Sequence, residues 1–297
     1  MISIQTLFIA TRPQYLLLSI VLVFLGAGVA RMYGPLPGPE FVLCLAGLVL
    51  LHISTNVLND YFDYTSGIDL ETQRTPFNGG SGVLNQGLLV PRQTLAFGLS
   101  AFALAVPIGG YLVAEIGWPL LPLFVLGAVF VLFGTSHMTR LGFGLGELSA
   151  GLGLGALPVF GTAWILHGSP DPAFMPAAVP SALWVFNLLF LNEFPDECAD
   201  RRGGRKTLAT QLGFPAGWRL YVAVSALAYL WVGAAVWLGF MPKPCLLVFL
   251  TLPLAVKAAA RSRAADFGGE FTQAQAANVG LALLGHALLA LGYWVSA

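Results

Sequence analysis

The stretch Asn59-Asp60-Tyr61-Phe62-Asp63, followed six residues on by Asp69, closes the apolar run 40–58 and decides how the chain is read. Three carboxylates stand here at the edge of a segment otherwise suited to oil. Burying charge in hydrocarbon costs several kcal/mol unless something compensates it, so ionisable residues at such a position point to function. A second cluster opens in the same way 133 residues later: Asn192-Glu193-Phe194-Pro195-Asp196, then Asp200. The remainder of the chain reads as scaffolding that brings the two together.

Composition sets the solvent. The 297 residues are 57% hydrophobic and 9% charged, with a mean hydropathy of +0.79. Soluble domains carry about 25% charged residues, so the chain is expected to be an all-α integral membrane protein. Formal net charge is zero, which gives nucleic acid no electrostatic footprint. Cys44, Cys198 and Cys245 lie far apart, with neither disulfide nor metal spacing. The first apolar run reads as a retained membrane helix rather than a cleaved signal.

Apolar windows fall at roughly 13–33, 40–58, 94–114, 118–136, 146–166, 178–194, 217–240, 244–260 and 275–295. Each is long enough to cross a hydrocarbon core of about 30 Å. Nine crossings from a cytoplasmic N-terminus place 12 of the 14 Lys and Arg residues on the cytoplasmic side, leaving only Arg31 and Lys243 opposite. The positive-inside rule supports that arrangement. It puts both acidic motifs on the cytoplasmic face of one bundle, around a central cavity open to that side. The whole chain, 1–297, reads as a single transmembrane domain.

On a helix, Asn56, Asn59, Asp60 and Asp63 share one face, and Asn192, Asp196 and Asp200 repeat at intervals of four. Two such faces opposed across a cavity make a cage of oxygen donors. Hard cations such as Mg2+ choose oxygen and commonly share carboxylates with phosphate. Arg201, Arg202, Arg205 and Lys206 follow the second motif, and Arg74 and Arg92 lie in the loop after the first. Carboxylates, metal and basic side chains together suit a diphosphate. Gly79-Gly80-Ser81-Gly82 is either a phosphate-binding backbone or a flexible turn. Arg12 is either an interface anchor or a phosphate contact. Pro195 either bends the second motif toward the cavity or marks the helix end. His52, His137, His167 and His286 stand alone and read as packing or interface residues.

These motifs resemble those of the UbiA superfamily of intramembrane prenyltransferases. Asn59 to Asp69 is similar to its first aspartate-rich motif. Asn192 to Leu208, with the trailing Arg205-Lys206-Thr207-Leu208, is similar to its second. Arg12-Pro13 resembles the opening of its first helix, and Arg140 with Gly144 to Glu147 resembles its loop between helices four and five. The resemblance implies an enzyme that joins a polyprenyl diphosphate to an aromatic acceptor within the lipid bilayer. It implies Mg2+ held by Asn59, Asp63, Asn192, Asp196 and Asp200, with Asp60 and Asp69 assisting, and Asp63 and Asp196 central to catalysis. It implies diphosphate contacts from Arg12, Arg140, Arg205 and Lys206. The gap between Asp63 and Asp69 resembles the branch that prenylates 1,4-dihydroxy-2-naphthoate on the way to menaquinone. Other acceptors, 4-hydroxybenzoate first among them, remain open. A cation-coupled transporter is the rival from another class, but its sites lie at mid-membrane, whereas these clusters close the ends of helices and precede basic loops.

Overall fold

Within hydrocarbon a backbone has no water to bond, so apolar segments of this length must close their own hydrogen bonds as helices. A computed structural model describes residues 3–72, 74–263 and 267–297. Among them there is no strand, and nine helices are long and apolar enough to cross a membrane. These are α1 (Pro13–Arg31), α2 (Gly38–Thr65), α3 (Pro91–Ile116), α4 (Trp118–Leu141), α5 (Leu145–His167), α6 (Pro172–Glu193), α7 (Leu208–Trp237), α8 (Lys243–Arg261) and α9 (Gly269–Trp294). Their order matches the nine windows read from the sequence. The chain is an integral, multi-pass membrane protein.

Lipid tails give helices no hydrophobic reason to associate, so close contact comes from small residues. A Cβ on Gly26 of α1 would lie 2.6 Å from the Val159 carbonyl oxygen of α5. One on Gly155 of α5 would lie 2.7 Å from the Ser181 carbonyl oxygen of α6, and one on Gly98 of α3 would meet Leu58 of α2 at 2.8 Å. Five helices are thereby drawn into contact: α1, α5 and α6 in one chain of packing, α2 and α3 in another.

Several helices are irregular near the site. α4 and α5 carry π-helical turns at Gly134–Met138 and Gly151–Ala156, a form that frequently marks functional positions. α7 breaks at Gly213 (φ 67°), two residues before Pro215. A short helix, Ile4–Ala10, precedes α1, and a four-residue helix, Ile68–Glu71, follows α2.

Candidate active site

The first motif occupies the last turns of α2. Asn59 Nδ2 donates to Asp63 Oδ2 at 2.8 Å, along the helix. Asp60, one position round, turns out of the cavity. It accepts from the Ser81 backbone N–H at 3.1 Å, bonds the Ser81 hydroxyl, and lies 3.6 Å from Arg12 Nη2. Arg12 itself has a left-handed backbone (φ 52°), unusual for a residue with a side chain, immediately before Pro13 opens α1. That conformation turns a largely buried guanidinium toward the acidic cluster, a local cost borne where charge is needed.

The second motif is not one continuous helix face. α6 ends at Glu193, and residues 194–196 form a turn in which the Asp196 N–H reaches the Glu193 carbonyl at 3.1 Å. A separate short helix, Glu197–Arg202, then carries Asp200. Pro195 lacks the N–H that would continue the ladder, so Asn192, Asp196 and Asp200 are brought together by a corner rather than by periodicity. Arg205, just beyond, bonds Asp63 of the first motif and lies 3.1 Å from Asp200 Oδ1 of the second. The π turn of α4 supplies a third contact, from Arg205 Nη2 to the Thr135 carbonyl at 3.3 Å.

The loop after the first motif joins the two. Asn78 Nδ2 donates to Asp196 Oδ1 at 2.7 Å, and Tyr15 OH to the Phe77 carbonyl at 3.0 Å. Arg74 is spent on this loop, holding the Gly79 and Gly80 carbonyls at 2.8 and 3.1 Å. Because the Ser81 N–H serves Asp60, the Gly79–Gly82 run acts here as a structural turn. Gly80 is its tightest point. With φ at +69°, a Cβ there would lie 2.9 Å from both Asp60 and Asp69 carboxylate oxygens. From α9, buried Gln275 donates to Asn192 Oδ1 at 3.1 Å.

The result is a cavity of about 200 Å³ whose wall includes Arg12, Asn59, Asp63, Asp69, Asn192, Asp196, Asp200 and Arg205. Three expected residues stand outside that wall. Asp60 is committed to Ser81 and Arg12. Arg140 is exposed on the last turn of α4. Lys206 is exposed because neighbouring side chains of an extended segment diverge, and Arg205 takes the inward position. Arg201 and Arg202 pair on the surface with Glu197 and Glu71.

Burial and crowding strain the carboxylates. Burial, then repulsion from Asp63 and Asp60, pushes Asp69 up to about 7. Burial likewise lifts Asp196 to about 7 against the pull of the Asn78 hydrogen bond, and Asp200 to about 6 against Arg205. Burial disfavours the Arg205 charge, yet Asp63 and Asp200 override it and raise its pKa. Among the described residues no three acidic, His or Cys side chains converge on one point as a finished metal cage; Arg205, Asn78 and Ser81 engage the carboxylates instead. The donor set is nonetheless all oxygen, carboxylate and amide, in one buried wall, which fits a hard divalent cation and not a soft one.

Several contributors escaped the sequence reading. Asn78, Tyr15, Ser81 and Gln275 hold the motifs in place through contacts between distant segments. His52 lines the same cavity rather than simply packing. Glu147, fully buried on α5, accepts from the Leu208 N–H and so anchors the start of α7 just beyond Arg205. Ser81 and Glu147 stood in stretches that the sequence reading quoted, the Gly79–Gly82 run and the Gly144–Glu147 stretch, but without these roles. A second cavity, about 420 Å³, lies between α2, α3, α4 and α5 and is lined almost wholly by apolar side chains such as Leu48, Phe102, Ile108 and Phe124. The two cavities share α2, α4 and α5 as walls.

Comparison with known proteins bears on the family and the fold. A model of the UbiA prenyltransferase family matches residues 17–270. A 1,4-dihydroxy-2-naphthoate octaprenyltransferase of Bacillus subtilis (strain 168) is 29% identical over 255 residues, covering 86% of this chain and 81% of its own. A UbiA homologue from Aeropyrum pernix K1 superposes with a TM-score of 0.73 at 20% identity, over 95% of this chain and 98% of that one. One from Archaeoglobus fulgidus, solved with GPP and Mg2+, does so with a TM-score of 0.68 at 14% identity, over 98% and 99%.

Proposed function

The chain belongs to the UbiA prenyltransferase family and is a prenyltransferase, and on that premise we propose that it transfers a polyprenyl chain from its diphosphate to an aromatic acceptor, 1,4-dihydroxy-2-naphthoate, as one catalytic domain. The observation that carries the proposal is the joining of two acidic motifs, 133 residues apart in sequence, by Arg205 between Asp63 and Asp200. Carboxylates facing guanidinium groups at the mouth of an apolar bundle suit a molecule with a charged head and a greasy tail. The naphthoate acceptor is supported by the B. subtilis relative's name and by the Asp63–Asp69 spacing.

In this reading Asn59, Asp63, Asp69, Asn192, Asp196 and Asp200 would hold Mg2+, with Asp60 behind them. The Archaeoglobus homologue, solved with GPP and Mg2+, supports that choice of ion. Bound there, the ion would neutralise charge on the diphosphate. The chain's own residues do the rest. Arg12 and Arg205, fixed by Asp60 and by the Thr135 carbonyl, offer planar donors to the diphosphate as its bond to the prenyl carbon breaks. Arg140 and Lys206, exposed at the same end, contact it as the substrate enters. Apolar walls keep water from the allylic cation, and the apolar cavity beside the site takes part of the tail. The site faces the cytoplasm, as the distribution of basic residues favours.

The test is purified protein with a labelled polyprenyl diphosphate, Mg2+ and a panel of aromatic acceptors. A prenylated naphthoate product is expected. Product from 4-hydroxybenzoate alone would reassign the acceptor. No Mg2+-dependent product from any aromatic acceptor would overturn the reading.

A further inference from the structure

His52 sits on the cavity-facing side of α2, seven residues before Asn59. At 1.5 Å rise per residue that is about 10 Å deeper in the bundle. Its ring is 4% exposed and lines the same cavity as the acidic motifs. Nδ1 lies 2.8 Å from the hydroxyl of Ser19 on α1, itself fully buried. Nε2 has no partner among the described residues. Leu18 from α1, Leu154 from α5 and Val185 and Leu188 from α6 line the same cavity. The charged groups that share the cavity are Arg12, Asp63, Asp69, Glu193, Asp196, Asp200 and Arg205, and Tyr15 is the remaining titratable group of its lining. A buried imidazole held at one nitrogen and open at the other, in an oily wall below a diphosphate site, has the form of a positioned proton acceptor.

We propose that His52 Nε2 takes the proton of the aromatic acceptor's ring hydroxyl during prenyl transfer, with Ser19 holding the ring through Nδ1. This rests on the prenyl-transfer reading above. As the ring carbon bonds to the prenyl carbon, the carbon–oxygen bond to diphosphate breaks and the electron pair leaves with diphosphate. The ring's lost density is replaced from the hydroxyl O–H bond, whose proton passes to Nε2. Aromaticity returns when the attacked carbon loses its hydrogen as a proton to the released diphosphate, or its carboxylate as CO2. The hydroxyl oxygen then recovers the proton from Nε2, and His52 ends as it began. Ser19 accepts from Nδ1–H throughout, which fixes the tautomer and steadies the imidazolium.

The test uses the full-length protein and whichever acceptor the wild type prenylates. Acceptor and polyprenyl diphosphate are varied separately for wild type, His52→Gln, His52→Ala and Ser19→Ala. Gln keeps a polar group near the Nε2 position but takes no proton. The expected result is a kcat loss of about 10²-fold in both His52 variants, the scale of a lost general base, with KM for the polyprenyl diphosphate unchanged and a smaller loss in Ser19→Ala. A ring-halogenated acceptor, whose hydroxyl ionises unaided, should recover much of the rate in His52→Gln. The inference is overturned if His52→Gln retains wild-type kcat, if the halogenated acceptor suffers the same loss as its parent, or if KM for the polyprenyl diphosphate rises in step with the defect. A wild type that prenylates no aromatic acceptor removes this inference together with the function it rests on.

Discussion

At the scale of single residues, charge at the site is placed by backbone conformations that the local sequence does not favour. Arg12 holds a left-handed φ of 52° beside Pro13, a conformation costing an L-residue about 1–2 kcal/mol. Arg12→Gly relieves that strain but removes the cation beside buried Asp60, so its Tm, measured by thermal unfolding, should fall rather than rise. The same variant should bind polyprenyl diphosphate at least about tenfold more weakly, the worth of a charge-assisted contact. Gly80 shows the opposite constraint. Gly80→Ala forces a Cβ to 2.9 Å from Asp60 and Asp69 oxygens at a positive φ, and both Tm and turnover should fall. Gln275, fully buried, touches Asn192 at 3.1 Å but does not line the cavity. Gln275→Leu should raise the Mg2+ concentration for half-maximal activity by roughly tenfold, as loss of a ligand-orienting partner does; an unchanged Mg2+ requirement would remove that role.

At the scale of elements, the sequence was most legible where a local pattern repeats. Long apolar runs have one solution in hydrocarbon, and all nine were readable from composition alone. The first acidic motif was readable in part, because α2 is regular through Asp63 and helical spacing applies, although Asp60 turns to Ser81 and Arg12 rather than into the cavity. The second was not, since Pro195 ends one helix and Asp196 and Asp200 reach the site round a corner. Nor was the strap at 74–82, whose meaning lies in contacts such as Asn78 to Asp196 across 118 positions. No local pattern announces a hydrogen bond between residues so far apart. His52 is similar: a lone histidine in an apolar run reads as packing until α1 and α6 are placed around it. The strap makes its own prediction. Asn78→Ala leaves Asp196 without its 2.7 Å donor and should raise KM for the polyprenyl diphosphate, with some fall in Tm because Asn78 is itself buried.

At the scale of the whole molecule, the account rests on orientation and on the meeting of distant motifs. Orientation has a built-in reporter. Cys44 and Cys245 are buried, whereas Cys198 is exposed beside the second motif. A membrane-impermeant maleimide should label Cys198 in inverted vesicles and leave intact spheroplasts unlabelled; labelling from outside would reverse the topology. The meeting of the motifs is the central claim, and a binding cycle tests it most directly. Affinity for a non-cleavable polyprenyl thiodiphosphate is measured with and without Mg2+ for wild type, Asp63→Ala, Asp196→Ala and the double variant. Residues that hold one ion–diphosphate unit lose it together. Each single variant should therefore abolish the Mg2+-dependent part of binding, and the double should be no worse than either. Independent, additive losses, or full Mg2+-dependent binding by Asp196→Ala, would contradict a shared clamp.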